Sequence, residues 1–113
     1  MRRFVTVIAL MFSAALLHAA PQASAKELQV YFIDVEGGQS TLFVAPDGHS
    51  LLIDTGWPDH DGRDATRIAA AAKSAGISKI DYVLITHFHD DHVGGVPQLV
   101  LSAWEFRIFR RAR

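Results

Sequence analysis

Residues 80–95 constrain the fold more than any other stretch. An apolar run, Ile80-Asp81-Tyr82-Val83-Leu84-Ile85, is followed at once by Thr86-His87-Phe88-His89-Asp90-Asp91-His92-Val93-Gly94-Gly95. The run reads as a buried strand. Three histidines and two aspartates then lie within six residues. Imidazole nitrogen and carboxylate oxygen are what zinc and related divalent ions bind. Packed behind a buried strand, such groups are costly without a counter-ion. The alternative is a polar loop that holds no metal.

The spacing adds direction. In an extended segment side chains alternate, so His87 and His89 reach one point while Phe88 faces away, into the core. Asp91 keeps the parity of the two histidines and His92 breaks it. A turn around Asp90 aims Asp91 and His92 at a second point, and Val93-Gly94-Gly95 lets the backbone come close and start a new element. Two pairs of ligands suit a two-metal site, with ions roughly 3.5–4 Å apart, better than a closed structural zinc.

Upstream, residues 28–35 (Leu-Gln-Val-Tyr-Phe-Ile-Asp-Val) read as a strand with both parities largely apolar, hence covered on both faces. Residues 40–45 and 50–54 are two further strands. Pro46-Asp47-Gly48-His49 joins them as a hairpin turn, with His49 solvated at its tip. Asp54-Thr55-Gly56 closes the third strand. Trp57-Pro58-Asp59-His60-Asp61-Gly62 is a loop, in which His60 has no spacing that ties it to the cluster. Residues 63–75 read as a helix with Asp61 as N-cap and Gly76 as C-cap. Its inner face is Ala65, Ile68, Ala69, Ala72 and Ala75, and Arg67 and Lys73 point outward. A second helix starts in residues 93–100, with Pro97 in its first turn. Strand, crossover helix and strand together indicate a layered α/β fold.

The first residues belong to a different class. Met1-Arg2-Arg3, an uncharged apolar run over residues 4–17 and Ala23-Ser24-Ala25 read as a secretory signal peptide, residues 1–25. The expected localisation is therefore exported, periplasmic or secreted. An uncleaved membrane anchor is the alternative, but the run is shorter than the roughly 20 residues a span requires. Absence of cysteine excludes a disulfide scaffold and thiolate zinc sites. Without Arg2 and Arg3 the eleven basic residues fall to nine against twelve acidic ones. That balance gives no indication of nucleic acid as an electrostatic partner.

His87, His89, Asp91 and His92 fill, position for position, the H-x-H-x-D-H motif, and the segment resembles the metallo-β-lactamase fold superfamily. The pattern of Phe32-Ile33-Asp34-Val35, Ser40-Thr41-Leu42, Leu52-Ile53-Asp54-Thr55-Gly56 and Ile85-Thr86-His87 is similar to the competence-protein-type branch. That branch carries Gly-Gln-Gly-Asp-Ser where this chain has Glu36-Gly37-Gly38-Gln39-Ser40.

The resemblance implies a mixed sheet with covering helices, the N-terminal half of a four-layer αβ/βα sandwich, over residues 26–100. It implies His87, His89, Asp91 and His92 as metal ligands, with Asp91 also catalytic in orienting the nucleophile. Asp54 and Thr86 support the ligands by hydrogen bonds, although a turn-forming Asp54 with only a local backbone bond is the alternative. The implied cofactor is zinc, two ions in a complete protein, with iron or manganese as other occupants of a His/Asp site. The implied activity is hydrolysis of an ester, amide, thioester or phosphodiester.

The family's remaining ligands come from a second half. After His92 there is no further histidine, and after Asp91 the acid is Glu105. Little or no turnover is expected of this chain. Residues 101–113, with Arg107, Arg110, Arg111 and Arg113, read as an atypical basic tail. They are either a surface-seeking segment or the product of truncation or a frame shift. A non-catalytic metal-binding or interaction module and a non-functional gene fragment are the competing readings. A sheet covered on one side leaves an apolar face, so self-association is expected.

Overall fold

The computed structural model describes residues 26–102 and strand residues 107–110. The signal-peptide reading of residues 1–25 lies outside the described residues. Five strands form one mixed sheet in the order β1-β2-β3-β4-β5. These are β1 Gln29–Phe32, β2 Thr41–Val44, β3 Ser50–Ile53, β4 Tyr82–Ile85 and β5 Arg107–Arg110. The first three are antiparallel neighbours, whereas β3–β4 and β4–β5 are parallel. Parallel neighbours need a crossover. Helix α1 (Arg63–Ser74) supplies it between β3 and β4. Two short helices follow β4: α2, the single turn Asp90–Val93, and α3, Val96–Leu101.

The hairpin between β2 and β3 forms where Pro46-Asp47-Gly48 predicts it. Gly48 takes φ +91, a conformation open to glycine at little cost. The Ala45 amide donates to the His49 carbonyl at 2.8 Å and closes the turn. Register then places Leu42 opposite Leu52, and Leu52 opposite Val83. These three residues share one face of the sheet, and all are fully buried. Ala65, Ile68 and Ala72 of α1 pack on that face, together with Ile80 and Leu99. Each large aliphatic side chain buried there contributes about 1.5–3 kcal/mol. Among the described residues the helices and this face form the core.

Several expectations are corrected. The first strand is not covered on both faces. β1 is a sheet edge paired to β2 alone, and Phe32 and Val30 are exposed. Apolar composition marks a strand, but the covering layer is a tertiary matter. Asp61 does not cap α1. It lies in a 3-10 turn, His60–Gly62, with φ +52, and Gly62 occupies the N-cap position. Arg67 does not point freely outward, because it reaches back to the β1–β2 loop. The helix expected in residues 93–100 is divided at Gly94-Gly95 into the end of α2 and the start of α3. Part of the tail, residues 107–110, is the fifth strand. No helix among the described residues is long and apolar enough to cross a membrane.

Candidate metal centre

The sheet brings the C-terminal ends of the parallel strands β3 and β4 side by side, and the candidate residues follow those ends. Asp54 comes directly after β3. Its amide donates to the Leu84 carbonyl at 2.9 Å, and its backbone then enters the left-handed region at φ +59. Aspartate is among the few side chains that adopt this conformation readily. The turn directs a fully buried carboxylate toward the end of β4.

Three donors meet that carboxylate. The Thr86 amide donates to Oδ1 at 2.8 Å, and the Thr86 hydroxyl lies 2.6 Å from Oδ2. His92 Nδ1 lies 2.7 Å from the same Oδ2. An ionised carboxylate only accepts. In the tautomer with its proton on Nδ1, His92 donates to this carboxylate and presents Nε2 to a ligand. Orientation of a metal-binding imidazole by a carboxylate behind it is a general device.

The ligand string divides unevenly. His87, Asp91 and His92 each present one ligand atom within 4.8 Å of the other two. His92 Nε2 lies 3.5 Å from Asp91 Oδ2, and the His87 and His92 rings have centroids 3.9 Å apart. His89 meets His87 instead, with His87 Nε2 and His89 Nδ1 separated by 3.1 Å. Two nitrogens on one tetrahedral zinc sit about 3.3 Å apart, given bonds of about 2.0–2.1 Å. Donor chemistry and spacing thus fit a divalent ion of the zinc type. His87 is the residue common to both sets of contacts.

Phe88 is 62% exposed, not turned into the core. β4 ends at Ile85, so Phe88, which lies between the two histidines, follows after the chain has left the sheet. There the opposite side of the segment faces solvent. His60 and His49 are exposed and away from the cluster's contacts, and His49 pairs with Asp47 at 3.0 Å.

Other contributors carry no ligand-like signature. The Thr55 amide and hydroxyl both donate to the His92 carbonyl, at 2.7 and 3.0 Å. The Gln39 amide donates to the Asp91 carbonyl at 3.0 Å. A one-turn helix leaves its final carbonyls without intrahelical partners, and two neighbouring loops satisfy these. Gly95 has no room for a side chain: a Cβ there would lie 2.2 Å from the Thr55 carbonyl oxygen. The glycine pair after the ligand string was a readable signal of close approach. The backbone partners were not.

A profile of the Metallo-beta-lactamase superfamily matches residues 34–106, which include every residue of this site. The chain belongs to the metallo-beta-lactamase superfamily. Similar proteins include a ribonuclease Z of Lachnoclostridium phytofermentans, 38% identical over 63 residues, covering 56% of this chain and 18% of the relative. A hydroxyacylglutathione hydrolase of Aliivibrio salmonicida is 41% identical over 54 residues, covering 48% and 18%. An atrochrysone carboxyl ACP thioesterase of Aspergillus fumigatus is 40% identical over 63 residues, covering 56% and 14%. The chain spans less than a fifth of the length of each. Among solved structures, the metallo-beta-lactamase FIM-1 from Pseudomonas aeruginosa in its mono-zinc form superimposes with a TM-score of 0.47. It is 23% identical, over 74% of this chain and 43% of that one.

Proposed function

We propose that this chain carries the first metal-binding segment of an exported, zinc-dependent hydrolase. The observation that carries the reading is the convergence of His87, Asp91 and His92 ligand atoms in front of the buried Asp54 carboxylate. A zinc ion in such a site supplies Lewis acidity for hydrolytic chemistry. The chain's own residues hold the geometry. Asp54 fixes the His92 tautomer, Thr86 ties Asp54 to the end of β4, and His89 extends the donor set through His87. Asp91 is the residue assigned to orient the nucleophile. The whole protein would hold two ions, zinc or else iron or manganese, and act on an ester, thioester, amide or phosphodiester. The differing activities of the matched relatives support that breadth. Export rests on the features of residues 1–25, and the competence-protein-type branch rests on the strand residues quoted for it.

Metal binding without turnover is the second reading for this chain taken alone. It is favoured by the compact group of His87, Asp91 and His92, whose ligand atoms all lie within 4.8 Å of one another. Zinc titrated into the purified chain is expected to bind, and His87→Ala to weaken binding by more than about ten-fold. Failure of both proteins to bind removes both readings. Zinc-dependent hydrolysis of ester or phosphodiester substrates by the chain separates the first from the second.

A further inference from the structure

The β1–β2 loop lies between α1 and the ligand turn α2, and it touches both. On the α2 side, the Gln39 amide donates to the Asp91 carbonyl at 3.0 Å. Gly38 sits so close that a Cβ would fall 2.6 Å from that same carbonyl oxygen and 3.1 Å from Trp57 Nε1. The Gln39 carbonyl accepts from the Gly56 amide at 3.0 Å, which joins the loop to the segment following Asp54.

On the α1 side the loop is held by charge. Glu36 divides its carboxylate between two arginines on successive turns: Arg63 at 2.9 Å and Arg67 at 3.1 Å. Arg67 also donates to the Asp34 carbonyl at 2.7 Å. Arg63 continues to Asp64 at 2.6 Å, whose buried carboxylate accepts from the Trp57 amide at 2.8 Å. Glu36 itself is at φ +52 and Gly37 at φ +88. A backbone bent this way persists only where its surroundings hold it.

We propose that Glu36, Arg63 and Arg67 are positioning residues for the metal centre, acting through the Gly38–Gln39 backbone on the carbonyl of Asp91. The inference rests on the metal-binding reading only for its consequence. The mechanical link from α1 to α2 exists without an ion. The clamp sets the tilt of the turn that carries Asp91 and His92. Because Glu36 is about half exposed, the link is screened by salt.

The test uses two measurements on the full chain, with Glu36→Gln, Arg67→Met and the double variant. Metal-free, amide hydrogen exchange at His92, Val93 and Gly94 is expected to quicken by about two- to five-fold in either single variant. The double variant is expected to be no faster than the worse single one, since both changes break one link. Amides of β2 and β3 serve as the control and stay unchanged. Unchanged exchange at 92–94 overturns the proposal, as does equal acceleration throughout the sheet. With cobalt(II) as probe, the visible ligand-field bands of the wild-type complex are expected to shift or weaken in Glu36→Gln and in Gly38→Ala. Bands identical to wild type in a folded Glu36→Gln also overturn it. Absence of cobalt bands in the wild type counts against the metal reading instead, and the exchange result then decides the clamp.

Discussion

Asp54 Oδ2 lies 2.7 Å from His92 Nδ1, although 38 residues separate the two in the chain. The parallel β3–β4 pairing creates this contact, since it sets the residue after one strand beside the loop after the other. Asp54 is fully buried and the His92 side chain is 20% exposed. The carboxylate thus forms the inner wall of the centre, and the imidazole faces outward from it.

Removal of the Asp54 carboxylate follows directly. Asp54→Ala leaves the Thr86 amide, the Thr86 hydroxyl and His92 Nδ1 without their acceptor. It also places alanine at φ +59. A loss of about 3 kcal/mol in unfolding free energy is expected. Asp54→Asn keeps an acceptor and tolerates the left-handed backbone, so its loss is expected to be smaller. Urea denaturation followed by circular dichroism measures both, and equal stability of the alanine variant would contradict the assigned bonds.

The glycines differ in what they tolerate. Gly95→Ala brings a Cβ to 2.2 Å from a backbone oxygen that no rotamer change can move. The expected cost is about 3 kcal/mol or more. Gly76→Ala meets nothing within 4 Å and carries only the strain of φ +74, about 1–2 kcal/mol. Paired thermal melts give the order, and the reverse order would refute the packing of Gly95, at the start of α3, against Thr55.

The exposed edge has its own consequence. Phe32 is 86% exposed at the end of an edge strand, Gln-Val-Tyr-Phe, that contains no charge. Such edges pair with other chains. Sedimentation velocity is expected to show concentration-dependent association of the wild type and a lower weight-average mass for Phe32→Glu. Stability should change by less than about 0.5 kcal/mol. A wild type that stays monomeric at every concentration would count against an active edge.

Acid acts at the opposite end of β4. Lys79, 2.9 Å away, holds the Asp81 carboxyl below its ordinary value of 3.8, and the Ser50 amide adds to this by donating at 2.9 Å. Burial opposes both but does not prevail. With the folded pKa depressed, the contribution to stability is complete above the unfolded pKa. It is lost as pH falls through the lower, folded pKa. Melting temperature across pH 4 to 2 is therefore expected to fall less steeply in Asp81→Asn than in the wild type. Parallel curves would show that Asp81 titrates alike in both states.

Much of the architecture was legible because it is local. The turn at Pro46-Asp47-Gly48, the α1 face of Ala65, Ile68 and Ala72, and the strand before His87 follow from residue period and turn chemistry. The ligand string announces itself through residue type, and Asp54 through its place at the end of a strand. Where covering layers decide the outcome, the reading failed. β1 is apolar and yet lies at an edge, and Phe88 is aromatic and yet faces solvent. Neither strand partners nor the layer above a strand is encoded within its own residues.

The amino-acid order by itself determined the donor types, their spacing after β4, and the glycine pair behind them. Tertiary structure alone decided that His87 joins Asp91 and His92 while His89 stays against His87. It also decided that the carbonyls of Asp91 and His92 are held by Gln39 and Thr55. The reason is physical. Side-chain chemistry is written residue by residue, whereas every residue other than proline brings the same amide and carbonyl, so only the path of the folded chain selects which of them meet.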